Sequence, residues 1–423
     1  MVNQSGSVLQ RILRSGSSIA VAMAVMSIAT YGFTMIAARM LGPGSYGALV
    51  AMMNTLLVVS VLQLGLQATA ARRISSTPDH VAQIEQNILR VTWRASLVLG
   101  VVMLALSPVV NQVLRLDSMP TAILMALIAV PMTMMGGQAG ILQGERRWYP
   151  LAVLYLANGV PRLLIGWALI AWRPDEFTAM VGVALGQVIP VLVGWWTLRH
   201  TRQPGIDTTD HRLREVVRET LHNSQALLAF FALSNVDIIV ARNVLDDHAA
   251  GLYAGGLILS KAVLFLPQFV VVVAFPTMST VSERRKALTR SLTAVALLGA
   301  GATIGAAVLP ELAMIFVGGA EYAAIEPKLW LFAILGTFLS MLQLLVYAVI
   351  ARQGQHSIHL VWVTLACMVA LGLTTTSVSG LLAVVIGADA VLFAALLAVS
   401  YWIVRHPAPV QETAPRTTEA AAA

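Results

Sequence analysis

Four ionisable side chains interrupt long apolar stretches of this sequence, namely Arg162, Asp237, Lys261 and Asp389. A charge at the centre of a lipid-facing helix costs roughly 3 kcal/mol on insertion scales, so such residues lie in polar cavities or pair with one another. Each of the four is therefore a candidate functional residue.

The two cations suit an anionic ligand. Arg162 follows Pro161 and Gly159 in "LANGVPRLLIGW", where a kink would turn the guanidinium inward, and arginine binds phosphate with two hydrogen bonds. Lys261 lies half-way along "LILSKAVLFLPQF" and is predicted to bind phosphate too. The alternatives are helix packing against backbone carbonyls for Arg162 and an ion pair with Asp237 for Lys261.

The two carboxylates are predicted ion-coupling residues. Asp237 in "LSNVDIIVAR" could bind a proton or a sodium ion, or it could form a structural pair with Lys261 or Arg242. Asp389 in "VIGADAVLF" is assigned the same two roles, and a structural one is the simpler interpretation. Arg39 and Arg242 end their helices, where snorkelling to the interface is the simplest interpretation and lining an outer gate for the substrate is the alternative.

Composition identifies the elements that must position these residues. The chain is 58% hydrophobic and only 11% charged, whereas soluble domains carry about 25% charged residues. Its surface must therefore face lipid. The net charge of +7 is typical of basic cytoplasmic flanks and does not indicate nucleic acid. The apolar runs are continuous, so they predict helices rather than a barrel.

Twelve runs are long enough to span a bilayer, since a helix needs about 20 apolar residues. Twenty of the 27 basic residues then fall on one side, five on the other and two within spans. This bias predicts a multi-pass protein of the cytoplasmic (inner) membrane with both termini in the cytoplasm. The predicted spans are 17–38, 47–70, 91–113, 121–143, 150–171, 178–198, 220–241, 250–275, 288–309, 327–350, 357–377 and 380–403.

An internal repeat divides the chain. "ARMLGPGSYG" closes the first span, and "ARNVLDDHAAGLYAGG" closes the seventh in the same way. Six spans separate them, so the halves run parallel and are related by a pseudo-two-fold axis along the membrane normal. We expect an N-terminal six-helix lobe (1–198), a cytoplasmic linker (199–219), a C-terminal six-helix lobe (220–403) and a disordered cytoplasmic tail (404–423).

These motifs carry a family resemblance. "ARMLGPGSYG", "LGLQATAARRIS" and "DIIVARNVLDDHAAGLYAGGLILSK" resemble the polysaccharide-transport (O-antigen-type) flippases of the multidrug/oligosaccharidyl-lipid/polysaccharide (MOP) superfamily. The resemblance implies two six-helix bundles that move a glycan linked to polyprenyl (pyro)phosphate across the membrane by alternating access. Membrane lipids, and glycosyltransferases of the same pathway, are the partners implied. Arg162, Lys261, Arg39 and Arg242 would then bind substrate.

Two other functions stay open. A cation-coupled multidrug antiporter of the same superfamily would need acidic residues, and the first six predicted spans hold no Asp or Glu. A glycan polymerase or ligase would need a larger outer loop than 310–326. With no phosphate-binding Gly-rich motif and no metal-ligand spacing, the sequence predicts no enzyme, no catalytic residue, no metal and no cofactor. Coupling to Na⁺, H⁺ or the membrane potential is left open.

Overall fold

The computed structural model describes residues 17–77, 80–199, 224–225, 227–264, 284–350 and 355–405. This part of the chain consists of helices joined by short turns and has no strands. Its helices are α1 (Ser17–Val59), α2 (Val61–Ser76), α3 (Val81–Ala105), α4 (Ser107–Leu114), α5 (Met119–Gly144), α6 (Trp148–Trp172), α7 (Glu176–Leu198), α8 (Val236–Val244), α9 (Asp247–Leu264), α10 (Arg284–Val308), α11 (Pro310–Val317), the 3-10 helix η1 (Ala320–Lys328), α12 (Leu329–Ile350), α13 (Gln355–Gly372) and α14 (Val378–Arg405).

The helix α1 contains the predicted turn between the first two spans. Its backbone leaves the helical conformation at Gly42, where φ is 69° and ψ is 169°. Residues with a Cβ avoid this region, whereas glycine enters it at little cost. Pro43 follows directly and restarts the helix. The sequence "LGPG" thus folds the chain back on itself without an extended loop.

Within the described residues, each of the twelve predicted spans is mainly helical, and the all-α membrane fold is confirmed. Residues 265–275 of the eighth span lie outside the described residues. Nine helices in the described ranges are long and apolar enough to cross a membrane. Several helices begin before the predicted spans: α3 starts at Val81 and α7 at Glu176. These extra turns place Glu85 on α3 and Glu176 on α7, where the two side chains are 1% and 6% exposed.

The predicted spans themselves hold no Asp or Glu, but the helices that contain them extend beyond the spans and carry acidic residues near their ends. The physical reason is that polar residues at the membrane surface extend helices beyond the hydrocarbon core, where an apolar-run criterion stops.

The helices of residues 17–198 pack on one another, as do those of residues 227–405. In the first set, α5 lies against α2 through small residues. A Cβ at Gly136 or Gly140 would overlap the backbone of Gln63 or Gln67, which is the close approach that glycines permit between membrane helices. In the second set, α9 packs on α12, and Ser260 donates to the carbonyl of Phe332 at 2.7 Å.

Almost all of the predicted linker 199–219 and of the tail 404–423 lies outside the described residues. The boundaries of the four segments stay a prediction.

Candidate functional site

The two bundles meet at the end of the molecule where α1 turns. Contacts between the two sets of helices within the described ranges run mainly from α1 to α8 and α9. This end is the predicted outer side. We call the group formed by Arg39, Arg115, Arg242, Asn243 and the backbone carbonyls they contact the interlobe clamp.

Arg242 is the central residue of the clamp. It closes α8 in the second bundle, and its side chain is 3% exposed. Nε donates to the carbonyl oxygen of Leu114 at 2.6 Å, and an Nη nitrogen donates to that of Arg115. These carbonyls end α4 of the first bundle, where helical carbonyls lack internal partners and the helix dipole favours a cation.

Three further bonds repeat this arrangement. Arg115 of the first bundle donates to the carbonyl of Asn243 at 2.9 Å, and the Asn243 amide donates back to the carbonyl of Val113 at 2.8 Å. Arg39 donates to the carbonyl of Ile315 at 2.5 Å. Each donor thus bonds a carbonyl near the C-terminal end of a helix in the opposite bundle.

The backbones also touch beside the clamp. A Cβ at Gly251 would overlap the carbonyl group of Pro43, and one at Gly47 would lie 3.0 Å from Gly251 Cα. Tyr322 of the second bundle donates to the carbonyl of Ala38 at 3.1 Å. These contacts close the predicted outer end.

The structure places Arg39 and Arg242 differently. Snorkelling is wrong for Arg242, because its guanidinium is buried and bonded to the other bundle. Arg39 is exposed but bonds across as well. Both line a closed interface between the bundles, and the reason is that orphan carbonyls lie opposite them.

Arg162 lies on α6 in the first bundle. Its guanidinium donates to the Thr30 hydroxyl at 2.5 Å, while Nε has no hydrogen-bond partner. Its backbone lies where a Cβ on Gly186 would be, so α6 and α7 are close at this point. None of the described acidic side chains pairs with it. An unneutralised, partly exposed cation therefore remains within this bundle.

Lys261 lies on α9 beside a break in the seventh span. Residues 227–233 are helical, the chain turns at Ser234 and Asn235, and α8 starts at Val236. Lys261 Nζ donates to the freed carbonyl of Ser234 at 3.0 Å and to Asn235 Oδ1 at 2.8 Å. The Asn235 amide nitrogen donates to the carbonyl of Phe231 at 2.7 Å, which turns Oδ1 towards the lysine.

Two carboxylates belong to the same cluster. Asp237 is 3% exposed and accepts from the Tyr253 hydroxyl at 3.0 Å and from the backbone N–H of Ile238 at 2.9 Å. Asp389 is 1% exposed, and neither of its oxygens has a hydrogen-bond partner among the described residues. Both carboxylates interact electrostatically with Lys261 and with each other.

The structure thus joins Asp237, Lys261 and Asp389 in one cluster of the second bundle, Arg39 and Arg242 in the clamp, and places Arg162 apart from both. Sequence reasoning missed Arg115, Asn243, Gly251 and Tyr322. Arg115 and Asn243 each lie at a helix end, but nothing in the sequence indicates that these ends meet.

Comparison with known proteins now places the chain. Residues 12–282 match the model of the polysaccharide biosynthesis protein family. The chain belongs to this family.

Solved structures share its fold. An inward-facing multidrug resistance MATE family transporter of the MOP superfamily matches with a TM-score of 0.67 and 15% identity, over 91% of this chain and 96% of that one. The lipid II flippase MurJ in an inward closed conformation matches with a TM-score of 0.68 and 13% identity, over 90% and 87%. No curated protein sequence matches. This chain is a multi-pass membrane protein with the MOP transporter fold.

Proposed function

We propose that this protein is a flippase that moves a lipid-linked oligosaccharide or polysaccharide precursor across the cytoplasmic membrane, with both termini in the cytoplasm. No step in this function makes or breaks a covalent bond. The glycan precursor would come from membrane glycosyltransferases.

The observation that carries this proposal is Arg162. A guanidinium that lacks an acidic partner among the described residues and bonds only a neutral hydroxyl keeps its full charge for a ligand. Its Nε is buried and has no hydrogen-bond partner, so a second donor exists for a phosphate that reaches it, and phosphate accepts hydrogen bonds from two guanidinium nitrogens at once. A polyprenyl (pyro)phosphate supplies this group, and its tail stays in the bilayer.

The clamp supports alternating access. With the clamp closed, the bundles are joined at the predicted outer end, so substrate would enter from the cytoplasm. Release outside requires the arginine–carbonyl bonds to break. The clamp residues Arg39 and Arg242 would thus control the exit path, and their predicted contact with substrate would follow opening.

The predicted substrate contact of Lys261 has weaker support than that of Arg162. Its ammonium group bonds Ser234 and Asn235 and lies near two carboxylates, so much of its charge is already balanced. We assign the phosphate to Arg162 and not to Lys261.

We expect Arg162→Gln to slow flipping of a polyprenyl-pyrophosphate sugar in proteoliposomes at least tenfold, because about 1.4 kcal/mol or more of charge-assisted hydrogen bonding is lost. Arg162→Lys should retain part of the rate, since the charge remains. Arg173→Gln is the control, because that side chain is 70% exposed and pairs with Asp175.

Wild-type flipping by a folded Arg162→Gln protein would contradict the assignment. Transport of an organic cation by the same proteoliposomes, without flipping of the lipid-linked sugar, would instead support a multidrug antiporter.

A further inference from the structure

The cluster around Lys261 has the architecture of a cation site that a side chain already occupies. Broken membrane helices expose backbone carbonyls, and such carbonyls coordinate cations in transporters. Here the break at Ser234 and Asn235 directs two oxygens to the Lys261 ammonium group, at 3.0 and 2.8 Å. The amide of Asn235 is fixed by its bond to Phe231, so the geometry does not depend on a bound ion.

The two carboxyl groups of the cluster differ in their hydrogen-bond donors. Asp237 has two hydrogen-bond donors, from Tyr253 and Ile238, which stabilise its ionised form. Asp389 has none among the described residues and is 1% exposed. One ammonium group faces two carboxyl groups. A buried carboxylate that has no hydrogen-bond donors and shares a single cation with a second carboxylate is costly, and such a group takes up a proton instead.

The neighbouring helices offer Asp389 no other counter-ion within the described ranges. Of the helices packed on α14, α8 contributes Asp237, and α9 contributes Lys261 and Tyr253. The described side chains of α12 include no Asp, Glu, Lys, Arg or His, and the titratable side chains that the structure describes on α13, His359 and Cys367, are exposed. Among the described side chains, the charge on Asp389 therefore depends on this cluster.

We propose that Lys261 is the resident cation of this site and that Asp389 carries one exchangeable proton, so the second bundle binds a proton and no sodium ion. The ammonium group takes the place of a metal ion at the broken helix. The particle that enters and leaves is the proton of the Asp389 carboxyl group, exchanged with water. The role of this proton in coupling transport rests on the proposed function, whereas the existence of the site does not.

Thermal unfolding of the purified full chain tests the resident cation without any transport assay. Wild-type protein should show the same melting temperature in sodium chloride and in choline chloride at equal ionic strength. Lys261→Ala frees the oxygens of Ser234 and Asn235 and removes the cation near the carboxyl groups of Asp237 and Asp389. Sodium should then raise its melting temperature by about 3 °C over choline. The double variant Lys261→Ala/Asp389→Asn should lose this response.

A sodium-specific shift in the wild type would overturn the proposal, and so would a folded Lys261→Ala protein that gains no such shift.

A second measurement stands even if Lys261→Ala fails to fold. The folded state then binds one proton more than the unfolded chain near neutral pH, so the melting temperature of the wild type should fall as pH rises. Asp389→Asn should remove that part of the slope, while His359→Asn, at an exposed position, should leave the slope unchanged. Equal slopes for wild type and Asp389→Asn would overturn the proton assignment.

These measurements use no substrate. A protein that fails to flip a lipid-linked glycan could therefore still support or overturn the proton site.

Discussion

Gly251→Ala should prevent the interlobe clamp from closing. The added Cβ would overlap the carbonyl group of Pro43, and a backbone contact cannot be relieved by a rotamer change. Overpacking of this kind costs about 3 kcal/mol, which changes the population of the closed form roughly a hundredfold. The bundles should separate at the predicted outer end.

Spin labels on exposed positions beside the clamp would measure this separation. Gln112→Cys on α4 and His248→Cys on α9, in a Cys367→Ala background, report the distance between the two bundles. We expect a short, narrow distribution in the otherwise wild-type protein and a longer, broader one with Gly251→Ala. Flipping in proteoliposomes should fall at least tenfold, because a protein that cannot close outside cannot load from the cytoplasm.

The internal repeat supplies a matched control for this change. Gly44 is the counterpart of Gly251 when Tyr46 is aligned with Tyr253, and a Cβ at Gly44 meets nothing within 4 Å. Gly44→Ala should therefore keep the closed distance distribution. Identical distributions for Gly251→Ala and Gly44→Ala would show that the close approach does not limit closure.

Arg242→Met should open the clamp by a different route. It leaves the helix-terminal carbonyls of Leu114 and Arg115 without their donors. Two charge-assisted bonds contribute about 3 kcal/mol together, so we expect the closed population to fall roughly a hundredfold in the same distance measurement. Methionine preserves much of the apolar volume of the arginine, which limits any loss of packing.

Arg39→Met is the matched control at the equivalent repeat position. Arg39 makes a single bond, to the carbonyl of Ile315, and is exposed to solvent, so its loss should cost about 1 kcal/mol or less. Equal effects of the two substitutions would mean that burial does not set the strength of these bonds. If Arg242→Met left the distances unchanged, the clamp would not be the element that holds the bundles together.

Both predictions concern the same conformational equilibrium, but either one can be contradicted without the other. Gly251 acts through the contact of two backbones and Arg242 through hydrogen bonds to carbonyls. A clamp held mainly by packing would respond to Gly251→Ala alone. One held mainly by polar contacts would respond to Arg242→Met and tolerate small changes at Gly251.

The sequence by itself determined the class of the protein and the positions of its helices. The physical reason is that a bilayer requires runs of about 20 apolar residues whatever their neighbours are, so each span is encoded locally. The cost of burying charge likewise singles out Arg162, Asp237, Lys261 and Asp389 from the apolar runs around them. The motif with Gly42 also marked a turn, since its positive φ is a local property of glycine.

Only the tertiary structure decided what these residues contact. Arg242 meets the carbonyl of Leu114, 128 positions away in the chain, and Lys261 meets a carbonyl that is free only because the helix breaks at Ser234. Apolar helices look alike in sequence, so which of them pack together, and at which height, is not encoded in any single span. That packing decides whether an arginine is buried in the clamp or snorkels to the interface. It also decides whether a lysine is enclosed by protein or free to bind substrate.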